Sequence, residues 1–126
     1  MTASLKRAVD AIVKATDPDK IILFGSRANG RPQPQSDYDL LVMKEGIQSR
    51  RKFAQRIYRL LYGTGLATDV IVETPRRFEQ LKSNPYLVYS EIARHGRVIY
   101  EKPLPRRRVA RKSKKQPRKS KSGKVF

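Results

Sequence analysis

Hydrophobic positions along this chain follow two rhythms, one of helical period and one of short unbroken apolar runs. Leu5, Val9, Ile12 and Val13 recur at helical spacing behind Ser4, a residue type suited to capping a helix start. This first helix is predicted to end at Asp17-Pro18-Asp19, because the residue before a proline is pushed out of the helical region. Residues 21–24, Ile-Ile-Leu-Phe, form a buried-strand run that closes in the turn Gly25-Ser26. A short helical segment is then expected to stop at Gly30, followed by a loop through Arg31-Pro32-Gln33-Pro34-Gln35-Ser36. Residues 37–43 make the second strand, and the run Leu40-Leu41-Val42-Met43 marks it as buried on both faces. Gly46 breaks it.

The helical rhythm returns over residues 49–62, with Phe53, Ile57, Leu60 and Leu61 facing inward and Gly63 as the stop. The β-branched residues 68–73 predict a third strand. Thr74-Pro75 starts a short helix that buries Phe78 and Leu81, and Asn84-Pro85 opens the last helix. The apolar stripe of that helix is Leu87, Val88 and Ile92, and it ends at His95-Gly96 before a final strand over 97–100. The order of elements predicts an α/β (α+β) domain, a small sheet packed against helices, without internal repeats.

Composition narrows this picture. At 126 residues the chain holds one modest core. It has no cysteine, which excludes disulfides, zinc-thiolate centres and thiol catalysis. The segment Thr2-Ala3-Ser4-Leu5-Lys6-Arg7 lacks the apolar centre of a signal peptide, and no apolar run reaches membrane-span length. A cytoplasmic protein without a membrane partner is the expectation. Charge divides the chain in two. Residues 103–126 hold eleven of the 29 Lys and Arg and none of the 11 Asp and Glu, so the formal charge of +18 drops to +7 for residues 1–102. Residues 1–102 are therefore the folded domain, and 103–126 are expected to be a disordered basic tail able to bind phosphate backbones non-specifically. A merely solubilising extension is the plainer reading of such a run.

The candidate chemistry lies where the first two strands meet. Asp37 and Asp39 are two residues apart, so on a strand both point to one side and Tyr38 to the other. Carboxylates beside the apolar run 40–43 are costly unless paired or metal-bound, whereas an exposed strand end would leave them merely solvated. Magnesium takes hard oxygen ligands, one or two carboxylates plus substrate phosphates, and a two-metal centre calls for a third acid. Asp69, opening the third strand, is the candidate if that strand lies beside the second; Glu73 is its rival at the far end. Gly25 lets backbone approach phosphate closely and Ser26 adds a hydroxyl donor, although the pair also suits an ordinary turn. Arg27 either neutralises phosphate or lies on an outer face. His95, the single histidine, reads as structural near a helix end, and Tyr86, Tyr89 and Tyr100 as core or partner surface.

Gly25-Ser26, ten intervening residues and then Asp37-Tyr38-Asp39 with apolar flanks resemble the signature of the polymerase-beta-like nucleotidyltransferase superfamily. The string Gly-Ser-Arg-Ala-Asn-Gly at 25–30, the pair Ser36-Asp37 and the closing segment 92–101 are similar to the minimal nucleotidyltransferases of prokaryotes. The resemblance spans residues 4–102. It implies that Asp37, Asp39 and Asp69 bind two Mg2+ ions, and that Gly25 and Ser26, with Arg27 and Ser36 beside them, hold the triphosphate of ATP. Asn29 departs from the arginine of many relatives. The implied reaction moves a nucleoside monophosphate, AMP, onto an acceptor hydroxyl, with Asp69 helping to deprotonate it. The implied partner is a HEPN toxin protein, making the chain an antitoxin. Nucleotide addition to RNA or to a small molecule, or a non-catalytic module that neutralises a partner by contact, are the alternatives.

Overall fold

The computed structural model describes residues 1–28, 30 and 37–103. The predicted loop 31–36, with Ser36 in it, and all but the first residue of the predicted tail lie outside these residues. The elements are α1 (Ala3–Thr16), β1 (Lys20–Phe24), β2 (Tyr38–Met43), α2 (Arg50–Tyr62), β3 (Thr68–Glu73), α3 (Pro75–Leu81), α4 (Val88–His95) and β4 (Arg97–Glu101).

The strands form one mixed sheet in the order β3-β2-β1-β4. β1 runs antiparallel to both β2 and β4, whereas β2 and β3 are parallel, joined by α2 as a crossover. Because side chains alternate along each strand, the sheet feeds two cores. On one face Ile21, Leu23, Leu40, Val42 and Val72 pack with Leu5, Val9 and Ile12 of α1 and with Ile57 and Leu61 of α2. On the other face Ile22, Phe24, Leu41 and Met43 pack with Phe78 of α3 and Ile92 of α4. Leu40, Leu41 and Val42 are wholly buried, as the unbroken run required for a central strand covered on both sides.

Three local expectations are corrected by hydrogen bonding. The cap of α1 is Thr2, whose hydroxyl accepts from the Leu5 N–H at 3.1 Å; Ser4 lies inside the helix. The chain after Gly25 makes a turn, closed by the Ala28 N–H on the Gly25 carbonyl at 3.1 Å, and no helix is described there. Asn84-Pro85 does not start α4. The Asn84 side chain accepts from the Tyr86 N–H at 2.9 Å and its carbonyl accepts from Leu87 at 3.1 Å, so residues 84–87 are spent in a turn and the helix begins at Val88. Leu87 and Val88 are consequently exposed, and α4 buries Ser90 and Ile92 instead. Leu81 of α3 is only half-buried, which leaves Phe78 as the anchor of that helix. Among the described residues no helix is long and apolar enough to cross a membrane.

Candidate active site

The end of β1 and the starts of β2 and β3 meet at one edge of the α3–α4 face of the sheet. Asp39 stands opposite Phe24 of β1 in antiparallel register and beside Asp69 of β3 in parallel register. Side chains of paired residues point to the same face, and neighbouring strands lie about 4.8 Å apart, so these two carboxylates share one patch. The register is set from the first residue, where the Tyr38 N–H donates to the Ala67 carbonyl at 2.9 Å. Asp37 precedes the strand and is exposed. Its charge still reaches Asp39. Burial, followed by the Asp69 and Asp37 charges, pushes the Asp39 carboxyl above its ordinary value.

Gly25 forms the wall of this patch. Its φ is +76°, a left-handed conformation that other residues adopt at a cost, and a methyl group built on it would run into the Asp39 carboxylate oxygen. The glycine is thus needed twice, for the turn and for the close approach. Ser26 follows directly and is half-buried. Arg27 goes elsewhere: its guanidinium lies 4.4 Å over the ring of Tyr38, a residue that packs in the α1–α2 core, away from the acids. This contact ties the Gly25-Ser26 turn to the strand that carries Asp39.

Glu73, the rival third acid, is four residues along β3 and paired with Met43 at the other end of the sheet. Its carboxylate is fully buried and bonded by Arg50 at 2.7 Å, by the Tyr89 hydroxyl at 2.5 Å and by the Thr74 N–H at 3.0 Å, with Arg77 at 3.4 Å. Burial opposes its ionisation, but the Tyr89, Thr74 and Arg50 interactions outweigh that and hold the carboxyl below its ordinary value. Burial and Glu73 together push the Tyr89 hydroxyl up to about 12. Glu73 is a structural knot joining α2, α3 and α4 to β3. Its partners were not legible in sequence, because Arg50, Arg77 and Tyr89 are spread over three elements.

Among the described residues, no three acidic or imidazole side chains stand close enough to enclose a metal by themselves. Magnesium does not ask for such a cage, since substrate phosphates and water complete its shell. Oxygen donors under mutual repulsion, beside a wall without a side chain, fit a divalent cation carrying a polyphosphate.

Residues 6–103 match the family described as Polymerase beta, Nucleotidyltransferase. The chain belongs to this family. No curated protein matches it. Among solved structures it is similar to a Sulfolobus solfataricus protein described as a nucleotidyltransferase, at 20% identity and a TM-score of 0.55, with 79% of this chain and 78% of that one covered. It is also similar to a toxin-antitoxin structure with AMP-PNP, at 19% identity and a TM-score of 0.51, covering 77% of this chain and 73% of that one. At such identities the likeness concerns the fold: a small mixed sheet of four strands with helices, the polymerase-beta-like nucleotidyltransferase fold. The domain is therefore nucleotidyltransferase-like, with a toxin-antitoxin structure among its neighbours.

Proposed function

We propose that this chain is a metal-dependent nucleotidyltransferase that moves AMP from ATP to an acceptor hydroxyl, and that the acceptor lies on a HEPN-type toxin protein for which the chain is the antitoxin. One observation carries the catalytic part: Asp39 and Asp69 adjacent in parallel register, with the side-chain-free wall of Gly25 against the Asp39 carboxylate. The similarity to a toxin-antitoxin structure with AMP-PNP supports the donor and the partner class.

Asp37, Asp39 and Asp69 would hold magnesium. When bound, the ion neutralises phosphate charge and favours departure of pyrophosphate. The chain's own groups do the rest. The Gly25-Ser26 turn offers backbone N–H groups and a hydroxyl to the triphosphate, and it stays in register because Arg27 is held over Tyr38. The acceptor oxygen forms a bond to the α-phosphorus while the bond to the pyrophosphate oxygen breaks, and Asp69 takes the hydroxyl proton. Ser36 and Arg27 belong to the nucleotide-binding set proposed from sequence, with Arg27 acting through the turn.

The test uses ATP labelled either at the α- or at the γ-phosphate, incubated with the full chain, magnesium and lysate. Label from the α position alone, found on one small protein, is expected. Label on RNA or on small molecules would assign a different acceptor, and label that depends on this chain and comes from the γ position without any from the α position would exclude nucleotidyl transfer.

A further inference from the structure

The outer face of α2 is charged in a way that neither the active site nor the fold explains. The helix, Arg-Arg-Lys-Phe-Ala-Gln-Arg-Ile-Tyr-Arg-Leu-Leu-Tyr, carries five basic residues and no acidic one. At 100° per residue, the positions most nearly opposite the buried Ile57 are Arg51, Lys52, Gln55, Arg59 and Tyr62, and all five are exposed. Tyr62, at the end of this row, is 91% exposed. Among the described residues no carboxylate pairs with Arg51, Lys52 or Arg59, whereas Arg50 is taken up by Glu73. Local physics argues against this arrangement. Cations in the first turn oppose the helix dipole, and Lys52 and Arg56 are like charges at i,i+4. Stability given up on a solvent face points to a use for it.

The surroundings extend the same charge. A hollow of about 450 Å3 beside the first turn is lined by Lys44, Lys52 and Arg56 around Phe53, with Glu45 as its one acid. Lys44 and Lys102 both reach the Asp17 carboxylate, at 4.0 and 2.8 Å.

We propose that the outer face of α2, with the adjoining hollow, is a docking surface for single-stranded nucleic acid. Cations without counter-acids suit a phosphate backbone, and an exposed tyrosine at the end of the row suits stacking on a base. Arg51 to Tyr62 spans about 16 Å along the helix axis, room for a short single-stranded segment. An acidic protein would match the charge but would leave Tyr62 without a role.

The test measures binding of a short labelled single-stranded RNA to the full chain across a salt series, with polyglutamate as competitor. The triple variant Arg51→Gln, Lys52→Gln, Arg59→Gln keeps good helix formers. It should bind at least roughly tenfold more weakly, and its log–log salt slope should shrink by roughly 2, near 0.7 per lost phosphate contact. Tyr62→Ala should lose about fivefold or more with an unchanged slope. Wild-type affinity and slope in the triple variant would overturn the proposal. So would polyglutamate competing as well as RNA of equal charge with Tyr62→Ala affecting neither, which would assign the surface to an acidic protein.

Discussion

Replacing Gly25 by alanine tests the close approach on which the active site is built. Two costs are separable. An L-residue at φ +76° is disfavoured by about 1–2 kcal/mol whatever surrounds it. The added methyl group also meets the Asp39 carboxylate, and forcing it in adds about 1–3 kcal/mol of overpacking. Gly25→Ala should therefore cost about 2–5 kcal/mol in the wild-type background. In an Asp39→Ala background the carboxylate is gone and the nearest atom of that side chain, Cβ, stands at 3.5 Å, ordinary contact. Only the backbone cost of about 1–2 kcal/mol should then remain. The difference is a coupling of about 1–3 kcal/mol, read from urea unfolding of the four proteins in a double-mutant cycle without magnesium. Equal costs of Gly25→Ala in both backgrounds would refute the packing of the turn against Asp39.

Asp39 titrates above its ordinary value in the fold, so the stability its proton confers is present below the unfolded value and lost as pH rises through the folded one. Melting temperatures taken without metal from pH 4 to 7 should accordingly show Asp39→Asn gaining on wild type, and a pH-independent difference would contradict this. Glu73 is shifted down, so its contribution is present above the unfolded value and lost as pH falls through the folded one; Glu73→Gln should cost about 2 kcal/mol near neutrality and remove that acid-side loss in urea titrations. Magnesium with ATP should raise the melting temperature of the wild type and leave the double variant Asp37→Ala, Asp39→Ala unchanged, checked by scanning calorimetry. Deletion of residues 104–126 should leave that magnesium-ATP shift intact, because the domain they follow carries every candidate ligand.

Elements whose signals are local could be read from the chain. The bounds of β3 match the β-branched run 68–73, and α2 is bracketed by the Ser49 cap and Gly63 as expected. The parallel pairing that sets Asp69 beside Asp39 was an expectation conditional on strand order, and the sheet meets the condition. What could not be read depends on contacts between distant residues. The turn after Gly25 replaces a helix because backbone and Arg27 are drawn against β2, and neither Asp39 nor Tyr38 advertises this in sequence. The start of α4 moved because an Asn84 side chain competes for backbone donors. Glu73 resembled a spare catalytic acid until Arg50, Arg77 and Tyr89, from three other elements, accounted for it. The cationic face of α2 was present in the sequence as Arg51, Lys52 and Arg59 opposite the inward-facing Ile57, but only the fold shows that, among the described residues, Glu73 takes up Arg50 and no carboxylate pairs with those three.

The cation and its nucleotide are expected to sit where β1, β2 and β3 meet. Manganese with ATP tests this directly, since the paramagnetic ion broadens nearby amide NMR signals. Broadening strongest at residues 25–27, 37–39 and 69 and falling off toward the Glu73 end of the sheet is the predicted result. Broadening centred on Glu73 and Arg50, or none at saturating nucleotide, would contradict it.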